Sequence, residues 1–208
     1  MTNHHRFIIL GTGGTFTFNV LKNLIKQNYK PLAYIQYGNS PEQNQTTFAE
    51  IKLEINKPRN TLSQLLKVQN IPVHFQQQTK ISQFIKQLKA EFLLVACWPE
   101  LIADDILSSV SKAALNLHPS LLPRYRGFDP VSDQIAAKDY NFGISLHLLN
   151  NEFDTGDIVL QQTIEIQLQT EKKVIEIKAA TQGAALFIKA INSYKHPGWT
   201  LIKQSGYV

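Results

Sequence analysis

Unbroken apolar runs alternate along this chain with stretches of helical periodicity. Arg6 to Leu10 (RFIIL) reads as a buried first strand, and Phe92 to Cys97 (FLLVAC) as a central strand covered on both faces. Pro31 to Tyr37 and Ile71 to Phe75 read as shorter strands. Phe16 to Gln27 is a helix with Phe18, Leu21 and Ile25 in register, and Lys80 to Leu88 places Ile81, Phe84, Ile85 and Leu88 on one face. Thr61 to Gln69, Ala103 to Ser109 and Asp129 to Ala137 read as further helices. The apolar run Ala113-Ala114-Leu115 leads into Asn116-Leu117-His118, Ile144 to Leu149 is another strand, and Asp157 to Gln167 is a strand polar at alternate residues. Lys172 to Tyr194 is a long amphipathic helix whose inward positions are Val174, Ile177, Thr181, Ala184, Ile188 and Ile191. Strands alternating with helices predict a doubly wound, mostly parallel α/β sheet. Residues 1–208 form one domain, with 168–208 as a C-terminal helix and tail.

Composition narrows the class. With 208 residues and 43 % apolar content the chain builds a substantial core. No run approaches a membrane span, and Met1 to Arg6 is polar, so neither a membrane nor a signal peptide is expected. The single cysteine, Cys97, excludes an internal disulfide and suits a reducing cytoplasm; at the end of an apolar run it reads as a buried hydrophobe. A net charge of +5 fits anionic substrates as well as an ordinary surface. His4, His5, His74 and His196 show no metal-ligand spacing, so no metal is expected.

Two segments stand apart. Gly11-Thr12-Gly13-Gly14 joins a strand to a helix, where free backbone N–H groups hold an anion or simply make a tight turn. A dinucleotide fingerprint is the weaker reading: its third glycine falls on Phe16, and the second strand lacks the acidic residue that would hold a ribose. Gly38 to Asn60 is polar and rich in Asn and Gln, with Phe48 to Ile55 as a short strand or helix. We read it as an excursion over the active-site face, whose Lys52, Lys57 and Arg59 meet an anionic acceptor or are merely solvated.

The chemistry concentrates between residues 113 and 157. Asn116 and His118 are two apart on a strand and point to one side. Pro119, Pro123 and Gly127 shape a loop that carries Ser120 and the basic residues Arg124 and Arg126. The second strand ends in Asn150-Asn151-Glu152-Phe153, followed by Asp154-Thr155-Gly156-Asp157. An amide, an imidazole and a carboxylate together can accept the proton of an attacking amine and stabilise an oxyanion.

Asn116, His118, Ser120-Leu121-Leu122-Pro123, Arg124, Gly127, Gly143 and Asp154-Thr155-Gly156 occur in an order that resembles the formyltransferases using 10-formyltetrahydrofolate. That family acts on glycinamide ribonucleotide, methionyl-tRNA or amino sugars. The resemblance implies a Rossmann-like fold and an enzyme that moves a formyl group from this folate to an amine. It makes Asn116, His118 and Asp154 catalytic. It also assigns Trp98, Pro99, Glu100, Leu101 and Ile102, with Asn150, Asn151, Glu152 and Phe153, to the folate pocket. Gly11, Thr12, Gly13, Gly14, Arg124 and Arg126 become candidates for the acceptor. His147 is expected to be structural or supporting, and Asp157 to stabilise the turn.

The acceptor stays open. The length resembles the glycinamide ribonucleotide enzyme, and the Leu-Leu-Pro-Arg-Tyr-Arg-Gly segment resembles the tRNA and amino-sugar enzymes. The tRNA enzyme carries a further C-terminal domain, for which a chain ending at Val208 leaves no room. The expected partner is therefore a small-molecule amine, a nucleotide-linked amino sugar ahead of the others, with nucleic acid disfavoured and a homodimer as a possible assembly. A hydrolase with the same triad, resembling formyltetrahydrofolate deformylase, and a binding protein that kept the fold are the rival readings.

Overall fold

The computed structural model describes residues 5–39, 61–194 and 198–204. The excursion from Gly38 to Asn60 lies almost wholly outside the described residues, including the strand or helix expected over Phe48 to Ile55.

Seven strands form one sheet: β1 (Phe7–Gly11), β2 (Ala33–Gln36), β3 (Val73–Phe75), β4 (Phe92–Ala96), β5 (Ala113–His118), β6 (Gly143–Leu148) and β7 (Ile158–Thr163). Their order is β3-β2-β1-β4-β5-β6-β7. From β3 to β5 every pair is parallel, and β6 and β7 add antiparallel at one side. The expected doubly wound, mostly parallel sheet is the observed one.

The helices are α1 (Thr15–Lys26), α2 (Leu62–Val68), α3 (Ile81–Gln87), α4 (Asp104–Leu107), α5 (Pro130–Ala136) and α6 (Lys172–Ser193). Side chains alternate across the sheet, so each strand supplies two cores. Phe7, Ile9, Phe92, Leu94, Leu115 and Leu117 pack against α1 and α6 on one face. Ile8, Leu10, Leu93, Val95 and Ala114 pack against α3 and the residues around α4 on the other. The unbroken apolar runs of β1 and β4 have their physical reason here, since both alternating sets are dry.

Two expectations are corrected. In α6, Val174 and Thr181 are exposed, and the buried residues are Ile175, Ala179, Ala180, Gly183, Ala184, Leu186, Phe187, Ala190 and Ile191. Small residues let the helix lie close on the sheet: a Cβ on Gly183 would stand 3.1 Å from Leu117. Close approach, not side-chain bulk, selects the inward face. Cys97 is exposed, with a left-handed φ of 64°, because the chain turns off the strand there. Its thiol is still pushed up to about 12, first by the protein packed around it and then by the charges of Glu176 and Asp129, so it is a poor nucleophile.

Candidate active site

Asn116 and His118 leave β5 on the face opposite Leu115 and Leu117, and His118 is buried. β6 runs antiparallel and pairs His147 directly with Asn116. After β6 the chain turns and brings Asp154 back over the same face. That turn is closed by Asn150, whose Oδ1 accepts from the backbone N–H of Glu152 at 3.1 Å and from the Thr155 hydroxyl at 3.1 Å. Gly156 is obligatory: a Cβ there would lie 1.8 Å from the carbonyl oxygen of Leu148.

The loop after His118 is held by hydroxyls. Ser120 Oγ donates to the Arg124 carbonyl at 2.7 Å. Ser145 Oγ donates to the Ser120 carbonyl at 2.6 Å and accepts from the Leu122 N–H at 3.0 Å and from Gln161 at 2.7 Å. This pinned loop turns the carbonyl of Tyr125 (φ 56°) onto His118 and the N–H of Gly127 onto Asp154.

The three catalytic candidates come together. Asn116 Nδ2 donates to Asp154 Oδ1 at 3.2 Å, and Asp154 Oδ2 accepts from the Gly127 N–H at 3.0 Å. His118 Nδ1 lies 3.4 Å from Asp154 Oδ1. Carbonyls only accept, which assigns protons on both imidazoles. His118 Nε2 must donate to the Tyr125 carbonyl at 2.7 Å, so in the neutral ring Nδ1 is a bare lone pair facing the carboxylate. His147 Nδ1 must donate to the Leu148 carbonyl at 2.8 Å, so its Nε2 accepts the second Asn116 amide hydrogen at 3.1 Å. Asn116 therefore has its amide nitrogen toward Asp154 and His147, with both hydrogens engaged.

Burial holds the His118 pKa below its ordinary value, against the pull of Asp154 and the Tyr125 carbonyl. Burial pushes the Asp154 carboxyl up, but the His147 ring 3.5 Å away and His118, each when protonated, together with the Gly127 N–H outweigh it and hold its pKa below the usual carboxylate range. The pair thus rests as a neutral imidazole beside a carboxylate, an arrangement that welcomes one more proton.

The other candidates surround this centre. Trp98 packs edge-to-face on Tyr37 with centroids 5.2 Å apart. Glu100 accepts from the Tyr37 hydroxyl at 2.6 Å and from Gln76 at 2.9 Å, which fastens the segment to the ends of β2 and β3. Pro99 is half-buried, Leu101 is exposed and Ile102 is buried in the second core. Trp98, Ile102 and Leu149 pack into that same cluster, which brings the Trp98 segment and the turn of Asn150, Asn151, Glu152 and Phe153 to one face; those four turn residues are exposed. Gly11 to Gly14 form the strand-to-helix turn, with Gly13 at φ 83° and Gly14 as the N-cap of α1. Thr12 and Gly14 are exposed. The arginines have internal partners: Arg124 pairs with Asp139, and Arg126 donates to Gln204 Oε1 from Nη2 at 2.8 Å and Nε at 3.2 Å. Asp157 serves the turn through its backbone carbonyl, which accepts from Leu148 at 2.9 Å.

His147 supports Asn116, within the structural or supporting role expected of it, while sequence reasoning missed Gln204 and Ser145. His147 becomes visible only once β6 is known to run antiparallel to β5 in this register. Among the described residues no group of three or more His, Cys, Asp or Glu side chains could hold a metal ion. Nor is any described helix long and apolar enough to cross a membrane.

Comparison with known proteins places this geometry in context. A sequence profile described as Formyl transferase matches residues 6–191. The methionyl-tRNA formyltransferase of Caldanaerobacter subterraneus subsp. tengcongensis is 28 % identical over 193 residues, covering 91 % of this chain and 60 % of that protein. Its counterpart in Helicobacter pylori strain P12 is also 28 % identical, with the same coverage. The chain thus spans about three fifths of the length of these curated relatives. Among solved structures, glycinamide ribonucleotide transformylase 1 of Symbiobacterium toebii superposes with a TM-score of 0.70 at 12 % identity, covering 96 % of this chain and 94 % of that one. The N-formyltransferase of Helicobacter canadensis, in complex with folinic acid and dTDP-3-aminofucose, gives 0.68 at 19 % identity, covering 97 % and 68 %. These likenesses carry the fold.

Proposed function

The chain belongs to the formyl transferase family, and on that premise we propose that it transfers a formyl group from 10-formyltetrahydrofolate to the amine of a small acceptor, a nucleotide-linked amino sugar. The observation that carries the reading is the bare Nδ1 of His118 facing Asp154 Oδ1 at 3.4 Å, with Asn116 bound to the same carboxylate.

A neutral amine attacks the formyl carbon, a new C–N bond forms, and the carbonyl oxygen becomes an oxyanion. Asn116 turns one amide hydrogen from its present partners to that oxygen. The amine proton passes to the His118–Asp154 pair, and the imidazolium formed beside the oxyanion stabilises it further. The bond to N10 of the folate then breaks, and the proton moves to that nitrogen. His147 holds Asn116 from behind. The pterin lies between the Trp98 to Ile102 segment and the Asn150 to Asp154 turn, where backbone groups meet its donors and acceptors and Leu101 covers a face. An acceptor anion is met by the N–H groups of Gly11 to Gly14.

The amino sugar is favoured because a tRNA needs a wide basic surface. Here the local basic cluster is Arg124 and Arg126, and both are already engaged by Asp139 and Gln204. The second reading, methionyl-tRNA, has its own support in the 28 % identical relatives. The test is a radiolabelled formyl transfer assay with purified protein. It compares dTDP-linked amino sugars, glycinamide ribonucleotide, methionyl-tRNA and no acceptor. We expect turnover with an amino sugar. Efficient formylation of methionyl-tRNA would move the acceptor to the second reading, and folate release independent of any amine would identify a hydrolase.

A further inference from the structure

We infer that Gln204, at the end of the described tail, is a positioning residue that holds Asp154 in place. Gln204 Nε2 donates to the backbone carbonyls of Asp154 at 2.9 Å and of Gly156 at 2.7 Å. Its Oε1 accepts from Arg126 Nε at 3.2 Å and Nη2 at 2.8 Å. Carbonyls only accept and a guanidinium only donates, so the amide can face only one way. Four hydrogen bonds converge on one side chain, and every one ends on the Asp154 turn or on the loop that follows His118.

The turn needs such support. Asp154 is held at φ 55°, a left-handed backbone that disfavours a residue with a Cβ. Its side chain must meet Asn116, the Gly127 N–H and His118 at once. A carboxylate on a strained exposed turn drifts unless its backbone is fastened, and a drift of about 1 Å at such a centre costs roughly 10²-fold in rate.

The tail is itself seated. Ile202 exchanges both backbone hydrogen bonds with Ile158 of β7, at 2.8 and 2.9 Å. Trp199 Nε1 donates to the Ala190 carbonyl in α6 at 2.8 Å. Gln204 therefore reaches Asp154 from a fixed point. Arg126, a candidate for the acceptor on sequence grounds, becomes the anchor of this clasp.

The rate consequence rests on the formyl-transfer reading, but the geometric one does not. The variants are Gln204→Ala and Gln204→Met, the latter close in shape and unable to hydrogen-bond. The first readout is kcat and KM with 10-formyltetrahydrofolate and the preferred acceptor. We expect kcat to fall by about ten- to a hundredfold, with both KM values within about twofold. The second readout is the titration midpoint of His118 by imidazole 15N NMR on the folded variants. Asp154 favours the charged ring, so its displacement lowers that midpoint. An unchanged midpoint with unchanged kcat overturns the inference, as does a rise in KM alone. Loss of the folded state in both variants would make Gln204 purely structural and overturn it equally. Should wild type transfer no formyl group to any amine, the functional reading fails while the NMR comparison still decides the clasp.

Discussion

Asp154 accepts a hydrogen bond from Asn116 at 3.2 Å across 38 residues of sequence, with its other carboxylate oxygen bound to the Gly127 N–H. One carboxylate thus gathers a strand, a loop and a turn. Breaking it should cost chemistry more than folding. Asp154→Asn keeps the volume but takes away the negative charge facing His118. His118→Ala removes the base. Each should lower kcat/KM by about 10²–10⁴-fold while the circular dichroism spectrum stays native. Near-normal turnover in either folded variant would remove that residue from its role.

Most of the frame was legible in the sequence, because burial on both faces writes an unmistakable signal. FIIL and FLLVA are strands for that reason, and Asn116 and His118 share a face because strands alternate. The rest depends on partners distant in sequence. His147 could be read as structural or supporting, but nothing local reveals that it lies opposite Asn116. The inward face of α6 was read correctly at Ala184 and Ile191 and misjudged at Val174 and Thr181, where the sheet instead takes Ile175, Ala179, Ala180 and Gly183. Gln204 had no signal at all, as a polar residue in a tail acquires meaning only through what it touches.

Stability should fall on the acid side, beginning near the histidine range. The His118 pKa is held below 6.5 by burial, so between that folded value and 6.5 the unfolded chain takes up a proton that the folded chain refuses. The contribution of His118 is complete above pH 6.5 and is lost as pH falls through the folded value. Asp154, held below 3.8 although burial alone would raise it, acts in the same direction at lower pH: its stabilisation is present above 3.8 and lost as pH drops through its folded value. Melting temperatures measured from pH 7.5 down to 5 should decline, and the decline should be shallower in His118→Asn. Parallel curves for the two proteins would contradict the assignment.

Folate should report itself through one tryptophan. The chain has two, Trp98 and Trp199. Titration with folinic acid, corrected for its own absorbance, should change the emission of wild type and of Trp199→Phe. The change should vanish in Trp98→Phe. A response that follows Trp199 instead would place the pterin away from the Trp98 segment.

Gly156→Ala tests the turn independently of any ligand. The added methyl would meet the Leu148 carbonyl at 1.8 Å, and backbone cannot yield as a side chain can. The expected loss is about 3 kcal/mol or more. That corresponds to a drop of roughly 6–12 °C in Tm for a chain of this size. A Tm within about 2 °C of wild type would show that the turn can open without cost to the fold.

β5 is paired in two different ways at once: Asn116 stands beside Val95 in a parallel ladder and beside His147 in an antiparallel one. A slip of one residue would send Asn116 and His118 to the side of α1 and α6 and push Leu115 and Leu117 into the site. The two ladders space their hydrogen bonds differently, so a slip that suits one neighbour does not suit the other, and both must break together. Alignment of Asn116 and His118 is therefore guarded by a seam between two kinds of sheet. On the proposed reading, exchanges in the Gly11 to Gly14 turn can redirect transfer to a new amine without retuning the centre that does the chemistry, whereas the loop of Arg124 cannot vary freely because it holds His118 and Asp154.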